Sequence, residues 1–256
     1  MKKLPSKPRL PDNTVLTVLA SSEYPEITDA IKIKFNIDVI QVPYSSDLSD
    51  DIATHADCRF LQVDDKSFIV DNSLKSPIVN YLTIDGLLDD INIISTYREP
   101  VSPYPGDVLL NATVMANRII CNTKYIDNSI REFAELHLCN FIHVNQGYAA
   151  CSVIALNDNS LITDDESIFK SATLYGLDCL YVNKGSVRLK NRDYGFIGGT
   201  CGMLDKNVIA FTGKLETHTD CDRIKSFLIK HNIRFIELTD GPLIDIGGII
   251  PLLQKK

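Results

Sequence analysis

Along this chain, short apolar runs alternate with stretches in which apolar residues recur three or four positions apart. The two kinds of stretch follow one another in a fixed order. The pattern predicts a unit of strand, tight turn, strand, helix and strand that recurs about every 40 to 55 residues. The first uninterrupted copy runs from Cys58–Val63 through a turn at Asp64–Lys66 into Ser67–Val70. The second begins at Val108–Leu110, turns near Ala116 and Asn117 and continues in Arg118–Cys121. The third has Cys151–Leu156, a turn at Asn157–Asn159 and Ser160–Ile162, and the fourth Gly202–Leu204, Asp205–Asn207 and Val208–Phe211. Asn and Asp at the turns tolerate the positive φ that a short hairpin asks for.

A polar, acid-rich helix entry follows each hairpin, clearest in Thr163–Glu166 and Thr217–Asp220, where side-chain oxygens satisfy free N–H groups. Helical spacing follows, as in Ile130, Phe133, Ala134 and Leu138, or Ile224, Phe227 and Leu228. A short apolar strand closes each unit: Ile91–Ile94, Asn140–Val144, Cys179–Val182 and Arg234–Leu238. The chain ends read as halves of a fifth copy. Thr14–Leu19, a helix across Ile27, Ala30, Ile31 and Phe35, and Ile37–Val42 lack a first strand, which Leu243–Leu253 supplies. Joining them closes a ring of five units without an exposed edge between first and last. The other architecture compatible with the pattern is an open α+β protein whose segments are alike by accident. Residues 1–13, with Lys2, Lys3, Lys7 and Arg9, read as a flexible basic tail, and residues 14–256 as one domain.

Composition narrows the function classes. Hydrophobic residues at 45% and charged residues at 23% are ordinary for a globular chain and exclude a disordered one. A net charge of −7 repels phosphate backbones and anionic lipid, so neither nucleic acid nor membrane is expected as a partner. No export signal is visible in the opening residues, and seven widely spaced cysteines fit a reducing cytoplasm. The five histidines are dispersed and no paired-ligand spacing occurs, so neither a metal nor another cofactor is expected. A homo-oligomer is compatible with the composition.

Five ββαβ units about a pseudo-fivefold axis resemble the pentein fold of the guanidino-group modifying enzymes: arginine deiminase, agmatine deiminase, dimethylarginine dimethylaminohydrolase and the amidinotransferases. The segments Asn145–Ala149, Asp193–Gly199 and Asp240–Leu252 resemble an uncharacterised bacterial branch of that superfamily. The resemblance implies a five-bladed α/β propeller with a small-molecule site at its axis. It also implies a catalytic cysteine after a C-terminal Gly-Gly and a histidine in a Gly-His-x-Asp stretch. Here the matching segments are Gly247–Pro251 and Gly199–Gly202, so Pro251 replaces the thiol, Thr200 the histidine and Gly202 the acid.

What remains for chemistry lies in the loops between units. Asp57, Glu99, Asp193, Asp240 and Asp245 are candidates to hold a cationic, guanidino- or amidine-like ligand, with Asn145, Gln146, Tyr148 and Thr200 orienting it by hydrogen bonds. Asp245 is the foremost of these, because it precedes the strand that lines the site in catalytic relatives. Cys201, set among Gly198, Gly199 and Gly202, is the candidate for a relocated nucleophile in an active hydrolase or amidinotransferase, the glycines offering N–H groups to a developing anion. Three readings stay open: a ligand-handling protein without the usual catalytic pair, an enzyme using Cys201, and a non-catalytic interaction module.

Overall fold

The computed structural model describes residues 2–256. Its strands and helices, in chain order, are β1 (Lys2–Lys3), β2 (Val15–Ser21), α1 (Pro25–Phe35), β3 (Asp38–Val42), β4 (Phe60–Gln62), β5 (Ser67–Val70), α2 (Asn72–Ile84) and β6 (Asn92–Ser95). There follow β7 (Thr113–Met115), β8 (Arg118–Cys121), α3 (Asn128–Leu136), β9 (Asn140–His143), β10 (Val153–Asn157), β11 (Ser160–Thr163), α4 (Glu166–Leu174) and β12 (Asp178–Tyr181). The last are β13 (Cys201–Asp205), β14 (Val208–Phe211), α5 (Cys221–Lys230), β15 (Arg234–Glu237) and β16 (Ile250–Lys255).

These strands form five small sheets with one shared plan. The first two strands of each unit are antiparallel and the third, reached through the helix, runs parallel to the second: β4-β5-β6, β7-β8-β9, β10-β11-β12 and β13-β14-β15. The fifth sheet takes its first strand from the opposite chain end. β16 pairs antiparallel with β2 in the register Ile250 to Leu19, Pro251 to Val18 and Gln254 to Val15, and β2 pairs parallel with β3. The expected joining of the termini is therefore present.

Each helix buries its apolar face between its own sheet and the sheet of the preceding unit. Ile27 and Ile31 of α1 pack with Leu204, Ala210 and Leu238, while Leu74 and Ile78 of α2 pack with Leu19, Ile40 and Leu252. Ile130 and Phe133 of α3 meet Leu61 and Ile69. One further cluster joins α4 and α5 to strands of the second, third and fourth units. The five helices also end alike, each followed by a residue in the left-handed region: Asn36, Gly86, Leu138, Gly176 and Asn232.

Several details differ from the sequence pattern. Among the hairpin turns only Ala116 has a positive φ. Elsewhere the turn Asn and Asp act through their side chains: Asp64 Oδ1 accepts from Lys66 N at 2.8 Å and Asn157 Oδ1 from Asn159 N at 2.9 Å. The strand of the second unit starts at Thr113, not Val108, and the last strand at Ile250, not Leu243. Gly247 (φ +74°) and Gly248 (φ +79°) make an extended run impossible there. Cys58 lies in a single 3-10 turn, Ala56–Cys58, and Cys151 precedes β10, so neither is a strand residue.

The expected flexible tail is corrected over residues 2–13. Lys2 and Lys3 pair with Lys255 and Gln254, Lys2 Nζ meets Asp85 Oδ2 at 2.7 Å, and Lys7 is ion-paired with Asp158. Leu4 is 1% exposed, packed in the core that holds Leu19, Phe60, Phe68 and Leu252. The basic residues thus decorate a segment anchored by two buried leucines, Leu4 and Leu10. Leu4→Ala is expected to lower stability by about 2–3 kcal/mol, at the lower end of buried Leu→Ala losses. A urea midpoint equal to that of the unaltered chain would mean the segment is unattached.

Candidate functional site

Each connection from the last strand of one unit to the first strand of the next contributes to the wall of one cavity of about 570 Å³. Asp51 and His55 come from the β3–β4 connection, Tyr104 and Asp107 from β6–β7, and Tyr148 and Cys151 from β9–β10. Arg192, Asp193 and Phe196 come from β12–β13, and Asp245 from β15–β16. The five connections meet because the units repeat one topology and so place equivalent loops on one side of their sheets.

Four carboxylates line this cavity against a single guanidinium. Arg192 Nε lies 2.6 Å from Asp51 Oδ2. Burial opposes ionisation of Asp51, yet the hydrogen bonds from Arg192 and Ser49 overcome it and hold the carboxyl below its ordinary value. Asp107 is buried, and its Oδ2 accepts the Tyr148 hydroxyl at 2.9 Å while Oδ1 has no partner. Burial raises its carboxyl. Tyr148 lies between Tyr104 and Phe196, with ring centroids 5.8 Å away on each side, so the acid opens onto an aromatic wall. Burial likewise pushes His55 down, keeping the imidazole neutral despite its acidic neighbours.

Asp245 is 1% exposed. Its Oδ2 accepts from Phe196 N at 2.9 Å and its Oδ1 from Gly247 N at 3.0 Å, with His55 Nδ1 3.8 Å from Oδ1. Burial, offset in part by those two amide donors, pushes its carboxyl up to about 6. A Cβ on Gly199 would stand 1.8 Å from Asp245 Oδ1, so this glycine is required for the carboxylate to lie where it does. Gly198 approaches the backbone of Cys151 and Val153, and Gly202 that of Ile249, in the same way. The glycines expected to expose N–H groups to a ligand instead pack strands and loops together.

At the floor of the cavity, His55 and Cys151 of its lining and Asp57 and Cys58 beneath them each bring one donor atom within 4.8 Å of all the others. Asn111, itself fully buried, accepts from Ala150 N at 2.6 Å and donates through Nδ2 to Cys151 Sγ at 3.0 Å. Both ring nitrogens of His55 and both carboxylate oxygens of Asp57 lack hydrogen-bond partners. These four side chains are the ones in the described residues placed to hold a metal ion.

The residues expected from sequence divide. Asp245, Asp193 and Tyr148 line the cavity. Asn145 and Gln146 line a separate, more open depression of about 660 Å³ that shares Tyr148 with it, and Gln146 Nε2 donates to Asp165 Oδ2 at 3.0 Å. Asp57 is fully buried beneath the wall. Glu99 is remote, receiving Asn72 N at 3.1 Å at the start of α2, and the Asp240 side chain is fully exposed and paired with Lys214 at 3.2 Å. Thr200 is buried and donates to Ile197 O at 2.7 Å. Cys201 and Pro251 line a different, nearly filled space of about 20 Å³, and burial pushes the Cys201 thiol up to about 12. That setting disfavours a thiolate, which corrects the expectation of an activated Cys201. The thiol that reaches the cavity is Cys151, and burial raises it well above its ordinary value too.

A model of a family of unknown function (DUF6873) matches residues 19–250. No curated protein matches the sequence. Among solved structures, the fold is similar to that of SxtG, an amidinotransferase from Microseira wollei in the saxitoxin biosynthetic pathway, with a TM-score of 0.60, 8% identity, and 99% of this chain and 98% of that one covered. It is also similar to DDAH from Pseudomonas aeruginosa complexed with citrulline (TM-score 0.53, 9% identity, 95% and 100% covered) and to C. jejuni agmatine deiminase (0.55, 9%, 93% and 90%). These neighbours are pentein superfamily proteins, and the fold this chain shares with them is the one expected from the repeat. At such identities the likeness concerns the fold. No helix among the described residues is long and apolar enough to cross a membrane.

One carboxyl beside the site gives a pH test. Asp164 Oδ2 accepts from Ile197 N at 2.9 Å, Oδ1 has no partner, and burial pushes the group up to about 7. Between about 3.9, the ordinary carboxyl value, and 7, the folded chain keeps a proton that the unfolded chain has released. Stability from this group therefore falls as pH rises through that window. Asp164→Asn is expected to gain on the unaltered protein as pH goes from 5 to 8, read from urea unfolding. Parallel stability curves for the two would contradict the assignment.

Proposed function

We propose that this chain, which belongs to a family of unknown function (DUF6873), closes as a five-bladed α/β propeller whose axial cavity binds a small organic cation of guanidino or amidine type. The observation that carries this is Asp107, a buried carboxylate with one bare oxygen, set beside Tyr148 in a cavity with more acids than bases. A buried carboxylate with an unfilled lone pair favours a donor that also brings positive charge. A planar guanidinium supplies paired N–H groups for the carboxylate and a flat cationic face for the rings of Tyr104, Tyr148 and Phe196. Arg192 does not fill this role, since it is engaged by Asp51 at the rim.

Support also comes from the fold neighbours, an amidinotransferase, an agmatine deiminase and a DDAH–citrulline complex, whose names point to guanidino or ureido groups. What favours binding over turnover is the state of the thiols: burial raises both Cys151 and Cys201, so neither is poised to attack. The absence of a histidine at Thr200 and of a thiol at Pro251 agrees with that preference.

Agmatine, arginine, methylarginines and citrulline separate the possibilities in a thermal-shift series. A cation at 100 times its dissociation constant adds about 2.7 kcal/mol, or about 5–10 °C in a chain of this size. The guanidinium compounds are expected to raise Tm and neutral citrulline to do so far less, with Asp107→Asn abolishing the difference while keeping the Tyr148 contact. No shift with any cation, or equal shifts in Asp107→Asn, would remove the cation reading and favour an interaction module.

Alkylation tests the state of the thiols separately. In the folded protein at pH 8, iodoacetamide is expected to label the partly exposed Cys139, Cys179 and Cys221 before the buried thiols, leaving Cys151 and Cys201 largely unmodified by peptide mass spectrometry. Rapid labelling of either buried thiol would reopen the catalytic reading.

A further inference from the structure

The four donors at the cavity floor are incomplete as they stand. His55 is 2% exposed, Cys151 1%, and Asp57 and Cys58 are fully buried. An unpartnered polar atom in such a place is destabilising, more so when charged, yet both nitrogens of His55 and both oxygens of Asp57 lack a partner within hydrogen-bond geometry. Water has little access, and among the described residues no lysine or arginine lies within ion-pair distance of Asp57; the charge of Arg9 and the Cys151 thiol only partly offset its burial. A divalent cation would satisfy imidazole, carboxylate and sulfur at once.

We propose that His55, Asp57, Cys58 and Cys151 form a four-coordinate zinc site. One nitrogen, one oxygen and two sulfur donors are the mixture that a borderline-soft ion with tetrahedral preference takes. A zinc tetrahedron with such ligands has donor–donor edges of roughly 3.3–3.8 Å, from bonds of about 2.0–2.3 Å. The four donors already lie within 4.8 Å of one another, so side-chain rotation closes the cage.

The surroundings are suited to the ion as well. Asn111 Nδ2 stands 3.0 Å from Cys151 Sγ and 3.5 Å from Cys58 Sγ, an arrangement that stabilises sulfur as thiolate. Asp57 N is anchored to Gly247 O at 3.2 Å. A Cβ on Gly247 would stand 2.4 Å from His55 Cβ, so the loop backbone holds the imidazole in place. Asp245 Oδ1 lies 3.8 Å from His55 Nδ1, beyond hydrogen-bond reach, so the carboxylate–histidine pairing usual around zinc would need a small side-chain shift on binding. Binding deprotonates the two thiols: two S–H protons go to solvent as two Zn–S bonds form. His55 and Cys151 also face the cavity, so the ion would lie at its floor. The site stands without the organic cation proposed above.

Reduced, chelator-treated protein titrated with Co²⁺ is expected to develop thiolate-to-cobalt charge-transfer absorption and tetrahedral visible bands at one equivalent. Zn²⁺ should bleach them and raise Tm, and chelator should reverse that rise. Loss of an outer-shell contact alone costs 10–100-fold in affinity, so Cys58→Ser and Cys151→Ser should each weaken binding by at least about 100-fold. Asp57→Asn should weaken it as well, and Cys139→Ser should leave it unchanged. Far-UV circular dichroism identifies any variant that has lost its fold. The unaltered protein and Cys139→Ser decide the question by themselves: no charge-transfer band in either would overturn the site, as would an undiminished band in folded Cys151→Ser. Agmatine binding is measured separately, with and without zinc, so failure of one proposal leaves the other standing.

Discussion

The antiparallel ladder between β16 and β2 is the contact on which the remaining structure depends. It gives the fifth sheet its first strand and brings Leu252 and Leu253 into the core under α2, joining the fifth unit to the first. Without it β2 would present an unpaired edge, and the Gly247–Gly248 turn that crosses over His55 would have no fixed point after it. The same ladder sets the position of Asp245, since the segment before β16 is held by Ile246 N and Gly248 N, both donating to Gly199 O at 3.0 Å. A pairing between chain ends thus becomes a site-building interaction.

Close backbone approach is the second constraint. Gly199 admits Asp245, Gly202 admits Ile249 and Gly198 admits Cys151 and Val153, each at distances where a side chain would collide. These contacts bring β13, the β9–β10 connection and the β15–β16 connection close together, and the polar groups they trap are consequently buried. The raised Asp164, Asp107 and Asp245 share this origin: burial outweighs the few amide or hydroxyl donors that reach them. A site assembled in this way is short of positive charge, and both proposed occupants, an organic cation in the cavity and a metal ion at its floor, supply it.

Much of the architecture was legible because hydrophobic periodicity is a local signal. Helical spacing at Ile130, Phe133 and Ala134, and short apolar runs such as Ser67–Val70, became α3 and β5 with little displacement. Misreadings came where one residue type serves two backbone purposes. Turn Asn and Asp promised positive φ but act as side-chain acceptors, while the left-handed positions lie at the helix ends. Asp164 and Asp165 both looked like helix-entry acids. Only Asp165 caps α4, through Ser167 N at 2.9 Å, while Asp164 turns inward. A basic opening segment masked Leu4, because charge count carries no information on whether one leucine finds a core.

For the site, the sequence showed which loops carry acids and that Asp245 borders the closing strand. Tertiary structure alone decided that Cys58 and Cys151, indistinguishable in sequence from small core residues, meet His55 and Asp57, and that Cys201 lies apart from the cavity. It also removed Glu99 and Asp240 to the outside. The physical reason is that apolar patterning is read over a few neighbouring residues. The partners, burial and charge state of a polar side chain depend instead on segments that meet only once five units have packed.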